Sequence, residues 1–418
     1  MWKLIYNLLV HSALPFFIPF GLARKKIRRN FFERLVPEPP GKALAEPLWI
    51  HAASVGEAFI AENFVNYVRP KVKNDFIVTT NTYYTRDLLR KRLQGSIAVF
   101  SLPFDLPWSI RRFIGTSAFA ALLLVETEIW PNLIWSAKRM GIPVLIINGR
   151  ISDATLARYR RVSFFLKSVL SSVDLVLAQS EEQAQRFVSL GMAPSKVVNT
   201  GNLKYYREIK NPLRQGPKEY MVTFGSIREK ELPQLIPVII ALKREFPHIG
   251  LFLAPRELTL ISAIERELPN GLGVTRYSTM KGGGAGGDAS GLVLVDTVGD
   301  LVEIYGRSLV AFVGGSLAAY GGQNLLEPLF AGTPVIFGPH VENFRTVAED
   351  VVARRAGFMV KDGAELLSTL RLVLGDERLR DDLVASGRVV LEMQKDVMEK
   401  AARLVLEVIW KNSPDSSS

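Results

Sequence analysis

Two successive series of short apolar runs constrain the fold of this chain more than any other feature of its sequence. In each series the runs alternate with longer amphipathic stretches, a pattern typical of βαβ units around a parallel sheet. The strand candidates of the first series are Leu48–His51, Phe76–Thr79, Ile97–Phe100, Ala120–Val125, Val144–Ile147 and Leu175–Ala178. Those of the second series are Met221–Phe224, Leu251–Ala254, Leu292–Asp296, Val310–Val313 and Val335–Phe337. The sequence therefore predicts an α/β fold with two Rossmann-like domains whose sheets face a common cleft.

The length of the chain agrees with this division, because 418 residues exceed one ordinary α/β core. Proline and polar residues mark the expected boundaries. The predicted limits are 1–40 for an N-terminal anchor with a basic flank, 41–205 for the first domain, 206–218 for a linker, 219–395 for the second domain, 396–412 for a C-terminal helix and 413–418 for a disordered tail.

The residue types present narrow the chemistry. The chain has no cysteine and only four histidines, none at metal-ligand spacing, which argues against a zinc enzyme and a cysteine nucleophile. No Walker-type phosphate loop occurs, which argues against an ATPase. A formal G-x-G-x-x-G at Gly282, Gly284 and Gly287 lacks a preceding strand and a following helix, so we interpret it as a flexible loop.

A net charge of +11 requires an anionic partner, and the position of the charge indicates which one. The segment Leu4–Phe20 is nearly uncharged, and it is followed by Arg24, Lys25, Lys26, Arg28 and Arg29. A basic cluster beside an apolar segment stays on the cytoplasmic side of a membrane, so we expect a membrane anchor here. The segment is short and contains Pro15 and Pro19, which leaves open whether it spans the bilayer or lies in the interface.

Two acidic motifs follow predicted strands of the first domain. In His51–Glu57 the acid begins a helix whose dipole favours the carboxylate, so Glu57 is predicted to be ionised at neutral pH unless a buried wall opposes this. It is a candidate general base, and a carboxylate that only caps the helix is the alternative. In Val125–Asn132, Glu126 and Glu128 share one face of an extended segment. They could act as a base or stabilise positive charge, or they could only cap the next helix.

Glycine-rich turns make the second domain the better candidate for binding a phosphate. Paired glycines in Gly314–Leu317 let the backbone approach a ligand, and their N–H groups can form an anion-binding nest. In Gly321–Pro328, Asn324 is predicted to begin a helix that faces phosphate, and Glu327 to accept hydrogen bonds from ribose. Tight strand–helix packing would explain only the first pair of glycines.

Together these runs resemble the 3-deoxy-D-manno-octulosonic acid (Kdo) transferases of bacterial lipid A assembly. The matching runs are HAASVGE, PFDLP, ETEIWPN, NGRISD, AQSEEQAQRF, TGNLKY, DTVGDL, FVGGSL, GGQNLLEP and PVIFGPHVENF, in the order of the family. The resemblance implies a glycosyltransferase B fold with an N-terminal membrane-anchor helix at the cytoplasmic face of the inner membrane. It also implies CMP-Kdo as the donor and a phosphorylated lipid A precursor as the acceptor.

The resemblance further assigns roles to individual residues. It makes Glu57 the general base of an inverting transfer and gives Glu126 and Lys204 charge-stabilising roles, although a lysine such as Lys204 is more often a solvated linker residue. The residues expected to contact the donor are Gly225, Ser226, Pro255, Arg256, Val298, Gly299, Asp300, Gly315, Ser316, Asn324, Leu325, Leu326 and Glu327. The chain departs from the family pattern on this donor side, where histidines usual after Gly-Ser, after Arg256 and before Asn324 are missing.

No metal and no other cofactor is expected. CMP leaves with a single phosphate, which backbone N–H groups and a helix end can neutralise. The chain also lacks the Asp-x-Asp motif that holds metal in many sugar transferases.

Basic stretches and rival functions complete the prediction. Arg86–Arg92 and Arg158–Lys167 are expected either to press on an anionic membrane or to form ordinary solvated helices. Rival functions are another two-Rossmann sugar-nucleotide transferase, a UDP-sugar epimerase, or a basic membrane- or RNA-binding protein. No nucleic-acid-binding module is recognisable, so no nucleic acid is expected as a partner.

Overall fold

The structure is a computed structural model that describes residues 1–23, 28, 30–41, 44–93, 97–115, 117–206, 218–269, 272–281 and 291–411. The chain divides into two units, one of Met1–Glu208 with Gln394–Ser418 and one of Ile209–Met393. Most of the predicted linker, the glycines of the G-x-G-x-x-G run, the predicted disordered tail and all cations of the N-terminal basic cluster except Arg28 lie outside the described residues. The domain limits drawn from the sequence stay predictions.

The described part of the first unit holds a parallel sheet. Its strands are β1 Leu48–His51, β2 Phe76–Thr80, β3 Ala98–Ser101, β4 Ala121–Val125, β5 Val144–Gly149, β6 Leu175–Ala178 and β7 Val197–Asn199. They pair in the order β3-β2-β1-β4-β5-β6-β7. All six strands predicted in this half are confirmed. The strand β7 has only three residues, all half-buried, and so lacks the apolar run that would have revealed it.

Helices cover both faces of this sheet. They are Trp2–Ala23, Phe31–Leu35, Val55–Val68, Tyr83–Arg92, Pro107–Ile114, Pro131–Arg139, Asp153–Arg161, Ser163–Leu170 and Glu181–Ser189. In β1, Leu48 and Ile50 belong to one buried cluster and Trp49 to the other, because successive side chains of a strand point to opposite faces. Burial on both faces explains why these strands are continuous apolar runs without alternation.

The second unit repeats the architecture. Its strands are β8 Met221–Ile227, β9 Gly250–Pro255, β10 Val274–Arg276, β11 Leu292–Leu294, β12 Val310–Val313, β13 Val335–Phe337 and β14 Gly357–Met359, in the order β10-β11-β9-β8-β12-β13-β14. Its helices are Leu232–Glu245, Ile261–Glu267, Tyr277–Lys281, Leu301–Arg307, Leu326–Phe330, Arg345–Ala353 and Gly363–Gly375. The five predicted strands are confirmed, and the three-residue strands β10 and β14 were missed.

The C-terminal helix differs from its prediction. It was expected at 396–412 but begins at Glu377 and continues to Lys411, so part of it belongs to each unit. Its last turns bury Met398, Ala401 and Val405 in the core of the first unit. The earlier start was missed because 377–395 is rich in charged residues, which hides the apolar positions Leu383 and Val390.

The N-terminal helix Trp2–Ala23 packs along one face only. Tyr6 stacks on Phe165 with ring centroids 5.5 Å apart, and its hydroxyl donates to Asp105 at 2.8 Å. Phe17 packs edge-on against Phe104. The opposite face exposes five large apolar side chains, those of Leu4, Ile5, Leu8, Leu9 and Phe16. Within the described residues, no helix has both the length and the apolar character needed to cross a bilayer.

Candidate functional site

The strand order of the first unit creates a ligand-binding position between β1 and β4. These strands are neighbours, and the chain proceeds from them toward opposite edges of the sheet. Ligands of open α/β sheets bind beyond the carboxyl ends of the strands at such a reversal. Glu57 follows β1, and Glu126 and Glu128 follow β4. The topology therefore brings the acidic motifs of the sequence to one edge of the sheet.

Glu57 is held by the turn from which its helix starts. Its Oε1 accepts a 2.7 Å hydrogen bond from the hydroxyl of Ser54, and its Oε2 accepts a 2.8 Å bond from the backbone N–H of Ala53. In return, the Glu57 N–H donates to the Ser54 hydroxyl at 3.3 Å. This reciprocal arrangement is a variant of the capping box. Glu57 therefore does cap its helix, as the alternative interpretation of the sequence predicted. The capping fixes the carboxylate at the edge of the sheet and is compatible with a catalytic role.

Burial changes the protonation of this carboxylate. Glu57 is 7% exposed. Burial raises its pKa to about 7, against the two hydrogen bonds and with a further contribution from the negative charges of Glu128 and Glu126. At neutral pH Glu57 is therefore about half ionised, because desolvation outweighs the two hydrogen bonds that favour its carboxylate. A group with a pKa near 7 can both accept and release a proton at neutral pH.

Glu128 has the opposite environment. Its Oε2 accepts a 2.9 Å hydrogen bond from the indole of Trp130 and a 3.4 Å bond from the amide of Asn81. It also lies 3.4 Å from Nε2 of the fully buried His51. Burial pushes the pKa of Glu128 upward, but the His51 ring and the two hydrogen bonds outweigh burial and hold that pKa below its ordinary value. Glu128 is thus a fixed negative charge beside Glu57.

The His51 ring is fixed from its other side. Its Nδ1 lies 3.1 Å from both the carbonyl and the hydroxyl oxygen of Thr79, and that hydroxyl accepts a 2.9 Å hydrogen bond from the indole of Trp49. A carboxylate only accepts hydrogen bonds, so His51 faces Glu128 favourably when Nε2 carries a proton and Nδ1 accepts from the Thr79 hydroxyl. A chain of buried polar groups therefore runs from the core to Glu128.

Glu126 combines backbone strain with nearby cations. It adopts φ 60°, in the left-handed region that side chains other than glycine rarely adopt. Burial raises its pKa, while the positive charges of Arg150 and Lys204 act against this rise. Strained residues that the surrounding structure maintains tend to cluster at functional sites. The structure thus places Glu126 within electrostatic range of both Glu57 and Lys204, the other two predicted catalytic residues.

The turn that carries Lys204 is anchored to the end of β5. Asn148, buried and also at positive φ (54°), accepts a 2.8 Å hydrogen bond from the N–H of Leu203 through its side-chain oxygen. Leu203 itself is fully buried, which leaves the neighbouring Lys204 exposed. The backbone of Lys204 is therefore held by an ordered turn, while its side chain is exposed.

Several residues of this site received no role from the sequence. His51, Asn148 and Arg150 stand in matching runs of the family but were not singled out, and Glu128 was placed second to Glu126. The signal that could have found His51, Asn148 and Arg150 is the apolar strand that leads into HAASVGE and the one that leads into NGRISD, because residues at the end of a buried strand lie at the carboxyl edge of the sheet. The pairing of β1 with β4, which the sequence does not reveal, was needed to bring them together.

The equivalent position of the second unit lies between β8 and β12, where Gly225 and Gly315 stand. Here the prediction for Gly315 and Ser316 requires correction. Their N–H groups donate at 2.7 and 2.9 Å to the fully buried carboxylate of Glu231, which also accepts from the N–H groups of Leu317 and Arg228. The predicted anion nest exists, but a carboxylate of the chain itself occupies it, so these N–H groups are not free for a phosphate.

Gly225 is required for packing. A Cβ at this position would lie 1.8 Å from the hydroxyl oxygen of the buried Tyr305. The next residue, Ser226, adopts φ 56° and is 8% exposed. The turn after β9 is tied to the same edge, because the N–H of Arg256 donates to the carbonyl of Ile227 at 2.9 Å while its side chain remains exposed.

The remaining predicted donor contacts are less uniform. Asn324 accepts a 3.1 Å hydrogen bond from the N–H of Leu326, and its amide lies 3.3 Å from the carboxylate of Glu327. Asn324 was predicted to begin a helix whose dipole faces phosphate. The helix spans only Leu326–Phe330, and so short a helix has little dipole to offer a phosphate. Val298 is 86% exposed, and Asp300 forms an ion pair with Lys281.

A cavity of about 480 Å³ opens beside these loops, within the second unit. Its lining includes Arg228, Glu257, Arg266 and Tyr320, with the Arg228 guanidinium 5.1 Å from the centre of the Tyr320 ring. None of the thirteen residues predicted to contact the donor lines it, although Ser226 and Arg256 are immediate sequence neighbours of its lining. Arg228 and Tyr320 are therefore the candidate donor-binding residues that the sequence did not indicate.

The two predicted basic stretches have different outcomes. In Arg86–Arg92 the arginines make internal contacts: Arg86 pairs with Glu33, and Arg92 pairs with Glu62 at 2.6 Å. In Arg158–Lys167 the arginines and Phe164 are exposed, and Phe164 is 80% exposed. Both stretches expose cations, including Arg90, Lys91 and Arg92 of the first, but only the second also exposes an aromatic ring.

Comparison with known proteins identifies relatives of the whole chain. Residues 27–207 match the family described as 3-Deoxy-D-manno-octulosonic-acid transferase (kdotransferase). The chain is 30% identical over 412 residues to the 3-deoxy-D-manno-octulosonic acid transferase of Bordetella pertussis, an alignment that covers 93% of this chain and 95% of the relative. It is 31% identical over 393 residues to a bifunctional glycosyltransferase/methyltransferase of Fusobacterium nucleatum, but spans only 60% of that protein and 91% of itself.

Solved structures show the same fold at low sequence identity. A glycosyltransferase from Rickettsia africae aligns over 88% of this chain and 99% of its own, with a TM-score of 0.58 and 13% identity. A UDP-GlcNAc 2-epimerase from Neisseria meningitidis aligns over 87% of this chain and 100% of its own, with a TM-score of 0.55 and 10% identity. The predicted α/β class with two parallel sheets is therefore confirmed.

Proposed function

The chain belongs to the 3-deoxy-D-manno-octulosonic acid (Kdo) transferase family and is a glycosyltransferase, and from this premise we propose that it transfers Kdo from CMP-Kdo to a phosphorylated lipid A precursor in lipopolysaccharide synthesis. The observation that carries the proposal is the set of three carboxylates at the β1–β4 edge, where burial raises the pKa of Glu57 to about 7 while the pKa of Glu128 is held low. Environments that separate the pKa values of neighbouring acids are typical of acid–base catalysis.

In the proposed reaction Glu57 acts as the general base. Its carboxylate removes the proton from the acceptor hydroxyl while that oxygen attacks the anomeric carbon of Kdo. The bond from this carbon to the phosphate of CMP breaks on the opposite face, CMP leaves with the electron pair, and the anomeric configuration inverts. Glu57 releases its proton to solvent afterwards, which a pKa near 7 permits at neutral pH.

Glu128 is less suited to this role. Its carboxylate already accepts hydrogen bonds from Trp130 and Asn81 and faces His51, so protonation would weaken three contacts. Its fixed negative charge instead raises the basicity of Glu57. Glu126 provides a second negative charge that could stabilise the oxocarbenium-like transition state. Lys204 and Arg150 supply cations for the carboxylate of Kdo.

The donor is assigned to the second unit. The loops that end β8 and β12 stand at the strand reversal of its sheet, and Arg228 and Arg266 line the cavity beside them. CMP-Kdo has a single phosphate, for which Arg266, and Arg228 if it exchanges its ion pair with Glu257, provide cations without a metal ion. The proposal includes the glycosyltransferase B arrangement, in which the two sheets face a common cleft. Transfer that persists unchanged in EDTA, and is not stimulated by Mg²⁺, is the expected result for a metal-independent enzyme.

The N-terminal helix is proposed to anchor the enzyme at the cytoplasmic face of the inner membrane. Its docked face is fixed by Tyr6 and Phe17, and its exposed face offers Leu4, Leu8 and Phe16 to the acyl region of a bilayer. Arg158–Lys167 contacts the same helix through Phe165 and exposes its arginines, which suits an anionic lipid surface. The acceptor is a lipid, so an anchored enzyme meets it without extraction from the membrane.

The proposal is tested with purified enzyme, CMP-Kdo and a lipid A precursor, with the products identified by mass spectrometry. Addition of Kdo by the wild type, and none by a Glu57→Gln variant that still binds CMP-Kdo, is the expected result. A parallel reaction with UDP-sugars separates this function from that of another sugar-nucleotide enzyme. Conversion of a UDP-sugar without any turnover of CMP-Kdo would overturn the proposal.

A further inference from the structure

A second cavity, outside the carboxylate cluster, lies at the N-terminal helix. It has a volume of about 200 Å³ and is lined by side chains of the helices Trp2–Ala23, Pro107–Ile114 and Pro131–Arg139. The lining includes Lys3, Asn7, Arg111, Ser136 and Arg139. A cavity of about 150 Å³ accommodates a benzene molecule, so a phosphate group fits here with room for the ester that carries it.

Three cations converge on this cavity, and no acidic residue is among the described residues that line it. Partial burial lowers the pKa of Lys3, and the positive charges of Arg139 and Arg111 lower it further, so both arginines lie within electrostatic range of Lys3. Within the described part of the chain none of the three forms an ion pair with a carboxylate. Arg111 and Arg139 belong to the last turns of their helices, where the dipole favours a cation. The helix dipole does not explain the position of Lys3, because Lys3 lies in the first turn of the helix Trp2–Ala23.

An unused acceptor lies in the same cavity. The side-chain oxygen of Asn7 is buried and accepts no hydrogen bond from any described residue, while its amide donates to the carbonyl of Lys3 at 2.9 Å. Buried polar atoms are normally paired, so a donor from outside the described chain is expected here. Three cations with one free acceptor suit a phosphate ester that also carries a hydroxyl group.

The surroundings of the cavity indicate where such an ester comes from. Leu4 and Leu8 each follow a lining residue by one position, about 100° around the helix, and both are exposed. Met140, at the rim, is 44% exposed. A phosphate bound by the cations would therefore have an apolar surface beside it for acyl chains, which a free phosphate ion would not need.

We infer that Lys3, Arg111 and Arg139 form a binding site for the phosphate headgroup of an anionic glycerophospholipid. The inference rests on the proposed membrane position of the N-terminal helix. The bound headgroup neutralises the three cations and links that helix to the helix Pro131–Arg139, which begins directly after Trp130. The site thereby fixes the orientation of the first unit on the membrane, in addition to the non-specific attraction of exposed arginines.

The experiment compares binding to phosphatidylcholine vesicles with and without phosphatidylglycerol. The variant K3Q/R111Q/R139Q should bind the plain vesicles as the wild type does and lose most of the gain due to phosphatidylglycerol. Each cation near the lipid surface contributes roughly fivefold in affinity, so a loss of roughly a hundredfold is expected. The matched control K361Q/R378Q/R388Q removes the same charge from exposed positions of the second unit and should retain the gain.

A soluble probe separates a defined site from general attraction. Dihexanoyl-phosphatidylglycerol, below its micellar concentration, should bind the wild type and the matched control with equal affinity in calorimetric titrations, and should bind the single variant Lys3→Gln roughly fivefold more weakly. Equal behaviour of the two triple variants, or no binding of the probe to the wild type, would overturn the inference. So would a triple variant that keeps the gain but has a raised KM for the acceptor in detergent without phospholipid, because the cations would then serve the acceptor.

A further variant tests the proposed membrane anchoring of the N-terminal helix separately from the phosphate site. L4S/L8S should lose binding to both kinds of vesicle while keeping the soluble probe. If instead the wild type ignores vesicles but binds the probe, the proposed anchor is wrong and the phosphate site stands.

Discussion

Replacing Glu57 by glutamine should change how the stability of the first unit depends on pH. Burial raises the pKa of Glu57 from 4.5 to about 7. One pKa unit corresponds to about 1.4 kcal/mol, so this rise represents a free energy of about 3 kcal/mol. The folded protein holds a proton at Glu57 that the unfolded chain releases, so stability from this group is present below about pH 4.5 and is lost as the pH rises to about 7. Glutamine does not titrate, and the variant should lack this loss.

The unfolding of the first unit can be followed selectively in the full-length protein, so the wild type and Glu57→Gln can be compared for that unit. All six tryptophans of the chain belong to that unit, so their fluorescence follows its unfolding in urea. Between pH 5 and pH 8 the wild type should lose roughly 2.5 kcal/mol more than Glu57→Gln. The exposed Glu399, on the C-terminal helix of the same unit, provides the control, and Glu399→Gln should behave as the wild type.

The same variant tests the link between stability and catalysis. Glu57→Gln should gain relative stability at pH 8 and lose transfer at every pH, because the group that destabilises the fold when ionised is the proposed base. An identical pH dependence of stability in wild type and variant would refute the reasoning about burial. Transfer at the wild-type rate by the variant would refute the role as base.

Three further predictions concern the surroundings of the two sheet edges. Glu128→Gln removes a negative charge beside Glu57, so the acid limb of the kcat/KM profile, expected near pH 7 in the wild type, should move to lower pH. Because burial is the larger cause of the raised pKa, the limb should stay above the pH expected for an exposed glutamate. A move to higher pH would contradict this. Glu231→Gln deprives four backbone N–H groups of a carboxylate and should destabilise the second unit by about 3 kcal/mol or more, measured by calorimetry. An unchanged melting temperature would show that the nest needs no charge. Gly225→Ala forces a Cβ against Tyr305 and should destabilise the same unit by about 1–3 kcal/mol, with partial recovery when Tyr305→Phe is added. An equal loss in both backgrounds would argue against that contact.

The environment of Glu57 shows how the fold sets the chemistry of a common side chain. Ser54 and Ala53 stabilise its carboxylate by two hydrogen bonds, yet burial between the sheet edge and the acids after β4 is the larger effect. A surface glutamate with the same two hydrogen bonds would have a pKa below its ordinary value. The basicity therefore depends mainly on burial, with a smaller contribution from Glu128 and Glu126, which the sheet topology places beside Glu57.

The sequence by itself determined the two parallel sheets and most of their strands. Strands buried on both faces must be apolar throughout, so runs such as Ala121–Val125 are visible without any knowledge of their neighbours. The three-residue strands β7, β10 and β14 contain too few apolar side chains to stand out. The sequence also supplied Glu57 and Glu126, because polar residues directly after a buried strand lie at the carboxyl edge of its sheet. The role of Lys204 came from the family resemblance.

Only the tertiary structure decided what those residues do to one another. The low pKa of Glu128 requires His51, Asn81 and Trp130, which come from three separate segments of the chain. The nest at Gly315 seemed free for phosphate because nothing in its own segment fills it, whereas Glu231 arrives from a turn more than eighty residues earlier. Electrostatic interactions and burial depend on distances in space, and the sequence order of these residues does not contain those distances.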